Sequence, residues 1–335
     1  MKKLIHLAAS KAHPDIWTQP FRDALCAFSD LTVIEDADQI PLHERAALIR
    51  EHHIALTSWG ASVLPAELAV NRGHLEYICH LTGTLRQYVP LELIDAGLPV
   101  TNWGDAPAKP LAEGAMTLLL ATLKDMHRRV QHVHHGGWAP PRRGMSDTLH
   151  GLNIGVYGFG LIGRAFVDLL RPFGAVVRIY DPYVTEVPPD CVLVESLDAL
   201  FEQSAAIVIH AGLTQATRGS VTAALLAKLP DGGILINTAR GAIIDQDALF
   251  RELECGRLRA GLDVLEPDSL PPAHPARTWE NVIFSAHTIA LEWTHTGMHQ
   301  QLSPIHHIAL KNIQRHLDGA PLEFLLDRER YLLST

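Results

Sequence analysis

Cysteine is scarce and scattered. The four present, Cys26, Cys79, Cys191 and Cys255, form no C-x-x-C pair, so neither a thiolate zinc site nor a disulfide framework is indicated. Reduced thiols in a cytoplasmic protein are the simpler expectation. No Lys/Arg-rich run occurs and the formal net charge is -9, which argues against a nucleic-acid-binding surface. Also missing is any apolar run long enough to cross a bilayer. The opening segment from Met1 to Leu7 is too short for a secretory signal and reads as a first strand. Internal repeats and low-complexity segments are lacking as well. At 335 residues the chain exceeds the size, about 250–300 residues, at which single cores stop growing, so two domains are expected.

Against these absences stands one glycine-rich stretch, Gly155-Val156-Tyr157-Gly158-Phe159-Gly160-Leu161-Ile162-Gly163, between an expected strand over 152–157 and an expected helix over 161–173. Gly158, Gly160 and Gly163 fit G-x-G-x-x-G. One glycine serves the tight turn, one lets the backbone approach a pyrophosphate, and one allows the helix to pack on the strand. The diphosphate would rest on the helix N-terminus, where the unpaired N–H groups of Leu161 and Ile162 and the positive dipole end favour anions. Residues 175–180 read as a second strand ending in Asp181, an acid placed to meet the adenosine ribose hydroxyls. That carboxylate would also repel the extra phosphate of NADP. Two unit charges about 4 Å apart interact by about 4 kcal/mol at an effective dielectric of about 20, so NAD is the expected cofactor. Arg178 is the neighbour best able to soften that preference. A glycine turn with no ligand is the rival reading, and the ordered strand, glycines, helix, strand and terminal acid argue against it.

Short apolar runs suited to buried parallel strands alternate with helical spacing along the first hundred residues. Strands are expected at 4–8, 31–35, 54–58, 77–81 and 99–102, and helices at 15–28, 42–51, 65–71 and 90–96. A single long helix is expected over 111–133, approached by Pro107 and Pro110 and ended by a loop from Gly136 through Trp138 to Pro141. After Asp181, helices are expected at 197–203, 223–228 and 247–256, with strands at 206–210, 233–237, 260–264 and 282–285. A final helix is expected over 294–317, with a tail from Pro321 packing back on the first domain. The fold class implied is two Rossmann-like or flavodoxin-like α/β domains with parallel sheets and a cleft between them. Residues 107–288 would form the NAD-binding Rossmann domain, and 1–106 with 289–335 a discontinuous substrate-binding domain.

Three residues at expected strand ends have the chemistry to accompany a hydride transfer between a dinucleotide and a carbonyl or alcohol. His287 follows the apolar run before Ser285, at the carboxyl end of a strand, where open α/β sheets bind ligands. An imidazole with an unperturbed pKa of about 6.5 can exchange a proton with a C2 oxygen in either direction near neutrality. Glu266, beside Pro267, is placed to accept the other imidazole N–H and favour the protonated form. Arg240, after Leu235-Ile236-Asn237, offers a planar cation for a carboxylate. Taken singly they read as a loop histidine, a Glu-Pro turn and a solvated bend; their order behind a dinucleotide fingerprint favours catalysis. His127, His132, His134 and His135, and the i, i+4 pair His295 and His299, lack an H-E-x-x-H pattern or a cysteine partner. Solvated helix ends and interface contacts are expected there, not a metal.

From about Leu75 onward the chain resembles the D-isomer-specific 2-hydroxyacid dehydrogenase family. The resemblance is carried by the glycine fingerprint with Arg171-Pro172-Phe173-Gly174 and Tyr180-Asp181-Pro182, then Leu213-Thr214-Gln215-Ala216-Thr217-Arg218-Gly219. Asn237-Thr238-Ala239-Arg240-Gly241-Ala242-Ile243-Ile244-Asp245, Gly261-Leu262-Asp263-Val264-Leu265-Glu266-Pro267 and Ser285-Ala286-His287 complete it, with Val100-Thr101-Asn102 and Leu111-Ala112-Glu113 upstream. The resemblance implies Arg240, Glu266 and His287 as the catalytic set, and Asp263, Thr214, Thr238 and Ala239 beside the cofactor. It implies Gly83 and Thr84 as a loop whose N–H groups hold the substrate carboxylate. It also implies an NAD-dependent reductase of the glyoxylate or hydroxypyruvate kind acting on small 2-oxo and 2-hydroxy acids, and a homodimer through the long helix and the Trp138 loop. Arg86 next to that loop suggests a second cation for a dianionic substrate; pairing with a surface acid is the rival reading. The chain departs from the family at Ala211-Gly212 and at Thr288-Ile289-Ala290-Leu291. Alternatives on the same fold are a dinucleotide-sensing corepressor and a formate or phosphite dehydrogenase-like activity.

Overall fold

A computed structural model describes residues 1–10, 16–138, 148–290 and 302–333. The chain divides into two compact units, Met1–Ala106 with Trp293–Thr335, and Pro107–Glu292. The first opens with strands β1 (Lys3–Leu7), β2 (Asp30–Ile34), β3 (Ile54–Thr57), β4 (Tyr77–His80) and β5 (Val100–Thr101), all parallel in the order β2-β1-β3-β4-β5. Helices α1 (Gln19–Cys26), α2 (Leu42–Arg50) and α3 (Leu91–Asp95) lie between them. Because strand side chains alternate, Leu4, Ile54, Leu56, Tyr77 and Cys79 enter one core while Ile5, Leu7, Ala55 and Ile78 enter another. A sheet buried on both faces explains the continuous apolar runs. The segment expected as a helix over 65–71 is only a 3-10 turn, Ala66–Ala69. Residue 15, where the first helix was expected to start, lies outside the described residues.

In the second unit, α4 (Ala108–Leu123) and α5 (Met126–His134) replace the single expected helix. Asp125 breaks it in the left-handed region (φ 56), and the Asp125 N–H closes on Thr122 O at 3.2 Å. The Asp125 carboxylate then takes Arg128 Nε at 2.6 Å, a local bond that competes with helix continuation. Pro110 sits within the first turn of α4, where its missing N–H would have had no helical partner anyway. Strands β6 (Asn153–Tyr157) and β7 (Val176–Tyr180) flank α6 (Leu161–Leu170). Next come β8 (Cys191–Leu193), α7 (Leu197–Glu202), β9 (Ala206–Ile209), α8 (Ala223–Leu226) and β10 (Ile234–Asn237). Helix α9 (Gln246–Glu254), β11 (Arg259–Leu262) and β12 (Val282–Phe284) complete the unit. The sheet order β12-β11-β10-β9-β6-β7-β8 reverses direction between β6 and β9, the switch point at which doubly wound sheets bind ligands. One face carries α4 and α6 on Ile154, Val156, Val208 and Ile236; the other carries α7, α8 and α9 on Ile207, Ile209 and Leu235. The short edge strand β8 follows two prolines and was not foreseen.

The first unit closes with α10 (Pro304–Leu317) and α11 (Arg328–Leu333). Helix α10 begins at a capping box between Ser303 and His306 and puts Ile305, Ala309 and Ile313 on the α1 face of the sheet. The expected start of this helix at 294 lies outside the described residues. The tail from Pro321 pairs with β5 through Leu326 N–H to Val100 O at 2.9 Å and packs Tyr331 in the core.

Candidate functional site

The glycine loop follows β6 directly. Gly158 is left-handed (φ 97), and a Cβ there would stand 2.4 Å from Ala211 N, so only glycine lets the turn meet the strand beside it. A Cβ on Gly163 would fall 2.2 Å from Gly158 O, whereas one on Gly160 would meet nothing within 4 Å. The first helical bond of α6 runs from Arg164 N–H to Gly160 O at 3.0 Å, so the N–H groups of Leu161, Ile162 and Gly163 precede the helical ladder. Asp181 is at the end of β7, where its carboxylate accepts Phe159 N–H at 2.7 Å and Tyr183 N–H at 2.9 Å. It therefore fixes the glycine loop, and each oxygen still has a lone pair for a hydroxyl. Arg178 is held away from this acid by Asn153 Oδ1 at 2.7 Å and Gln203 Oε1 at 3.2 Å, so the softening expected of it does not arise.

Two further polar atoms point to a ligand. Thr238 Oγ1, after β10, and His210 Nε2, after β9, are buried without a hydrogen-bond partner. His210 lies against Gly158 and Gly163, and a bound dinucleotide would supply partners for such orphaned atoms. Burial holds His210 neutral and pulls it down to about 3. Thr214 is used differently: its hydroxyl accepts Thr217 N–H at 3.2 Å and its own N–H donates to Thr217 Oγ1 at 2.7 Å, closing the loop that begins at Ala211-Gly212. Ala239 N–H is likewise taken, by Asn237 Oδ1 at 3.0 Å.

At the ends of β11 and β12 the structure departs from the expected pair. His287 Nδ1 bonds the carboxylate of Asp268, both side chains being half-exposed, and Glu266 has no part in it. The reason lies in the Glu266 main chain. Gln246 holds the Glu266 main chain at both N–H and C=O, each at 2.8 Å, while the Glu266 side chain is exposed. Asp268 Oδ1 instead accepts Leu265 N–H at 3.2 Å, which folds the turn back and leaves Oδ2 for the imidazole. The signal was an acid immediately after Pro267, passed over for the one before it. Asp263 anchors the histidine's own turn: Oδ1 accepts Ser285 Oγ at 2.7 Å, Thr288 N–H at 3.0 Å and Ile289 N–H at 3.1 Å. Ala286 and His287 are both left-handed (φ 52 and 60), a strained pair that this clamp maintains. Arg240 follows β10, with Nη1 donating to Ala239 O at 2.7 Å; burial lowers it from its ordinary value and the charge of Asp268 opposes that. A cavity of about 320 Å³ opens beside these groups, lined by Asp263, Asp268, Phe284 and Ala286.

In the first unit, Gly83 lies in the loop after β4. A Cβ on it would be 2.4 Å from the Trp103 indole. A buried polar chain supports the loop: His80 bonds Thr57 Oγ1 at 2.8 Å through Nδ1 and Thr82 Oγ1 at 2.9 Å through Nε2, and Thr84 lends it a backbone bond. Burial pushes His80 down to about 3, so it serves as a neutral strut. Arg86 meets main chain where a surface acid was the rival expectation: its Nε donates to Tyr331 O at 3.2 Å and its Nη2 to Leu332 O, so it caps the last carbonyls of α11.

Among the described residues no group of three or more His, Cys, Asp or Glu is placed to hold a metal ion; His295 and His299 lie outside them. No described helix is long and apolar enough to cross a membrane. Residues 116–288 match the profile of the NAD binding domain of D-isomer specific 2-hydroxyacid dehydrogenases. The hydroxypyruvate reductase of Thermotoga maritima is 35% identical over 200 residues, 58% of this chain and 63% of that enzyme, just under two thirds of its length. The human glyoxylate reductase/hydroxypyruvate reductase is 30% identical over 237 residues, 69% of this chain and 70% of its own. The solved structure of D-2-hydroxyisocaproate dehydrogenase has the same fold, with a TM-score of 0.77 over 97% of this chain and 99% of that one at 22% identity.

Proposed function

This chain belongs to the D-isomer specific 2-hydroxyacid dehydrogenase family, and from that premise we propose that it reduces a small 2-oxo acid to the D-2-hydroxy acid with NADH. The observation that carries the reading is the His287–Asp268 pair at the carboxyl end of the same sheet that presents the glycine loop. When bound, the nicotinamide supplies a hydride to C2. The protein supplies the rest. His287 gives its proton to the C2 oxygen, and Asp268 orients the ring and stabilises the imidazolium that donates. Arg240 binds the substrate carboxylate through its planar guanidinium. In the first unit the Gly83 and Thr84 N–H groups are the contacts proposed for a substrate carboxylate. Leu161, Ile162 and Gly163 carry the diphosphate, Asp181 the ribose diol, and Thr238, Ala239 and Asp263 lie toward the nicotinamide end.

In this assignment residues 107–288 are the dinucleotide domain and 1–106 with 289–335 the substrate domain of a cytoplasmic enzyme. A homodimer through α5 is part of the same reading. None of that helix's residues is buried, and Met126, Val130 and Val133 expose 42–45% of their area on one stripe. Relatives named hydroxypyruvate and glyoxylate reductases favour catalysis over a corepressor role. The test is NADH oxidation by the purified chain over a panel of 2-oxo acids. Turnover of at least one, lost in His287→Ala, supports the reading; no turnover with any sinks it.

A further inference from the structure

The search for what distinguishes this chain's substrate leads to the carboxyl ends of β3, β4 and β5, where two tryptophans stand side by side. Trp59 follows β3 and Trp103 follows β5, and their rings meet edge to face with centroids 5.0 Å apart and planes at 78°. Both are only partly buried, so each keeps one surface on the core under the sheet and another facing out. Their placement is built in. Trp59 N–H donates to Thr82 Oγ1 at 3.1 Å, the hydroxyl that His80 also holds, and the Trp103 indole fills the space a side chain on Gly83 would need. Gly104 (φ 57) lets the Trp103 loop turn against Phe324, whose ring lies 2.3 Å from where a Cβ on that glycine would be. The only cation on this loop, Arg86, is committed to the carbonyls of α11.

We propose that Trp59 and Trp103 select the substrate's C3 side chain, so that the enzyme prefers 2-oxo acids bearing an uncharged aryl or branched alkyl group over both glyoxylate and dicarboxylic acids. This rests on the reading that Gly83 and Thr84 hold the substrate carboxylate. An acid held there has the Trp103 ring within van der Waals range of the loop that binds it. Indole faces and edges reward apolar and aromatic surface, and a hydrogen atom at C2, as in glyoxylate, leaves that surface unused. A second carboxylate would be desolvated against the two rings, and the cation of the Gly83 loop is already engaged by main-chain carbonyls. One methylene in an apolar pocket discriminates by roughly 10–200-fold, so a phenyl group should gain at least about tenfold.

The experiment measures kcat/KM for phenylpyruvate, glyoxylate and 2-oxoglutarate with the full chain and with Trp103→Ala, Trp103→Phe and Trp59→Ala, each first checked for native thermal unfolding. The wild-type protein should favour phenylpyruvate over either competitor by about tenfold or more. That ratio should fall by about tenfold in Trp103→Ala, and Trp103→Phe should restore most of it. Should Trp103→Ala not fold, Trp59→Ala carries the same prediction. A wild-type preference for glyoxylate or 2-oxoglutarate overturns the inference, as does a ratio unmoved by the tryptophan variants; in both cases reduction of a 2-oxo acid still stands. No turnover of any of the three overturns the dehydrogenase reading and the inference with it.

Discussion

His287 and His80 both stand at the carboxyl ends of parallel strands, and their surroundings make them opposite kinds of residue. His287 is half-exposed and faces the carboxylate of Asp268, so its charged form has a partner and its free edge can exchange a proton. His80 is buried between the hydroxyls of Thr57 and Thr82 with no anion beside it, and burial drives it down to about 3. A carboxylate and access to solvent make an imidazole an acid-base group; two hydroxyls and a dry setting make it a strut. The same contrast runs through the two units. The second keeps a half-exposed His287 at a strand end and buries His210, whereas the first buries His6, held down to about 4, together with His80.

The sharpest way to break this comparison is to remove each function in turn. His287→Ala should lower kcat by about 10²–10⁴-fold while NADH affinity, read by fluorescence titration, changes little, because the ring acts on the proton and not on the dinucleotide. Next in size is cofactor choice. With Asp181 at the ribose and Arg178 tied elsewhere, NADH should exceed NADPH in catalytic efficiency by several hundredfold, as the estimated repulsion of about 4 kcal/mol allows after solvent relaxation. Equal efficiencies would remove Asp181 from the adenosine site.

Asp268→Asn should cost roughly 10–100-fold in kcat/KM, since the ring loses the carboxylate that orients it. Glu266→Gln should not. If the two variants exchange these behaviours, the pairing seen here is not the working one. A smaller effect should appear in acid. His80 and His6 in the first unit, and His210 in the second, have folded values of about 3, 4 and 3 against 6.5 unfolded, so the unfolded chain binds their protons first. Stability is full above pH 6.5 and falls below it, by up to about 1.4 kcal/mol per pH unit for each group, until the folded values are reached. Hydrogen exchange between pH 6.5 and 4.5 should therefore show the first unit losing protection ahead of the second. Smallest of all, Arg86→Ala should loosen α11 by less than about 1 kcal/mol and leave substrate preference unchanged.

The alternation of apolar runs was enough to read two parallel α/β layers, and the glycine spacing with Asp181 at the next strand end was enough to read a dinucleotide loop. Both are local: a continuous apolar run buried on both faces of a sheet and a turn that admits no Cβ are properties of short stretches of chain. The places of His287 and Arg240 in the fold were legible for the same reason, each standing three residues past an apolar strand. What only the tertiary structure decided depends on partners far away in sequence. Which acid meets His287 turned on Gln246 clamping the Glu266 main chain from twenty residues upstream. The fate of Arg86 turned on the carbonyls of Tyr331 and Leu332, and the neighbours of Gly83 on an indole from the loop after β5. The break of the long helix at Asp125 left the apolar spacing intact while a side chain took over the backbone's role, so periodicity alone did not reveal it. A residue's type sets what it can do, and the groups folded against it from elsewhere in the chain set which of those things it does.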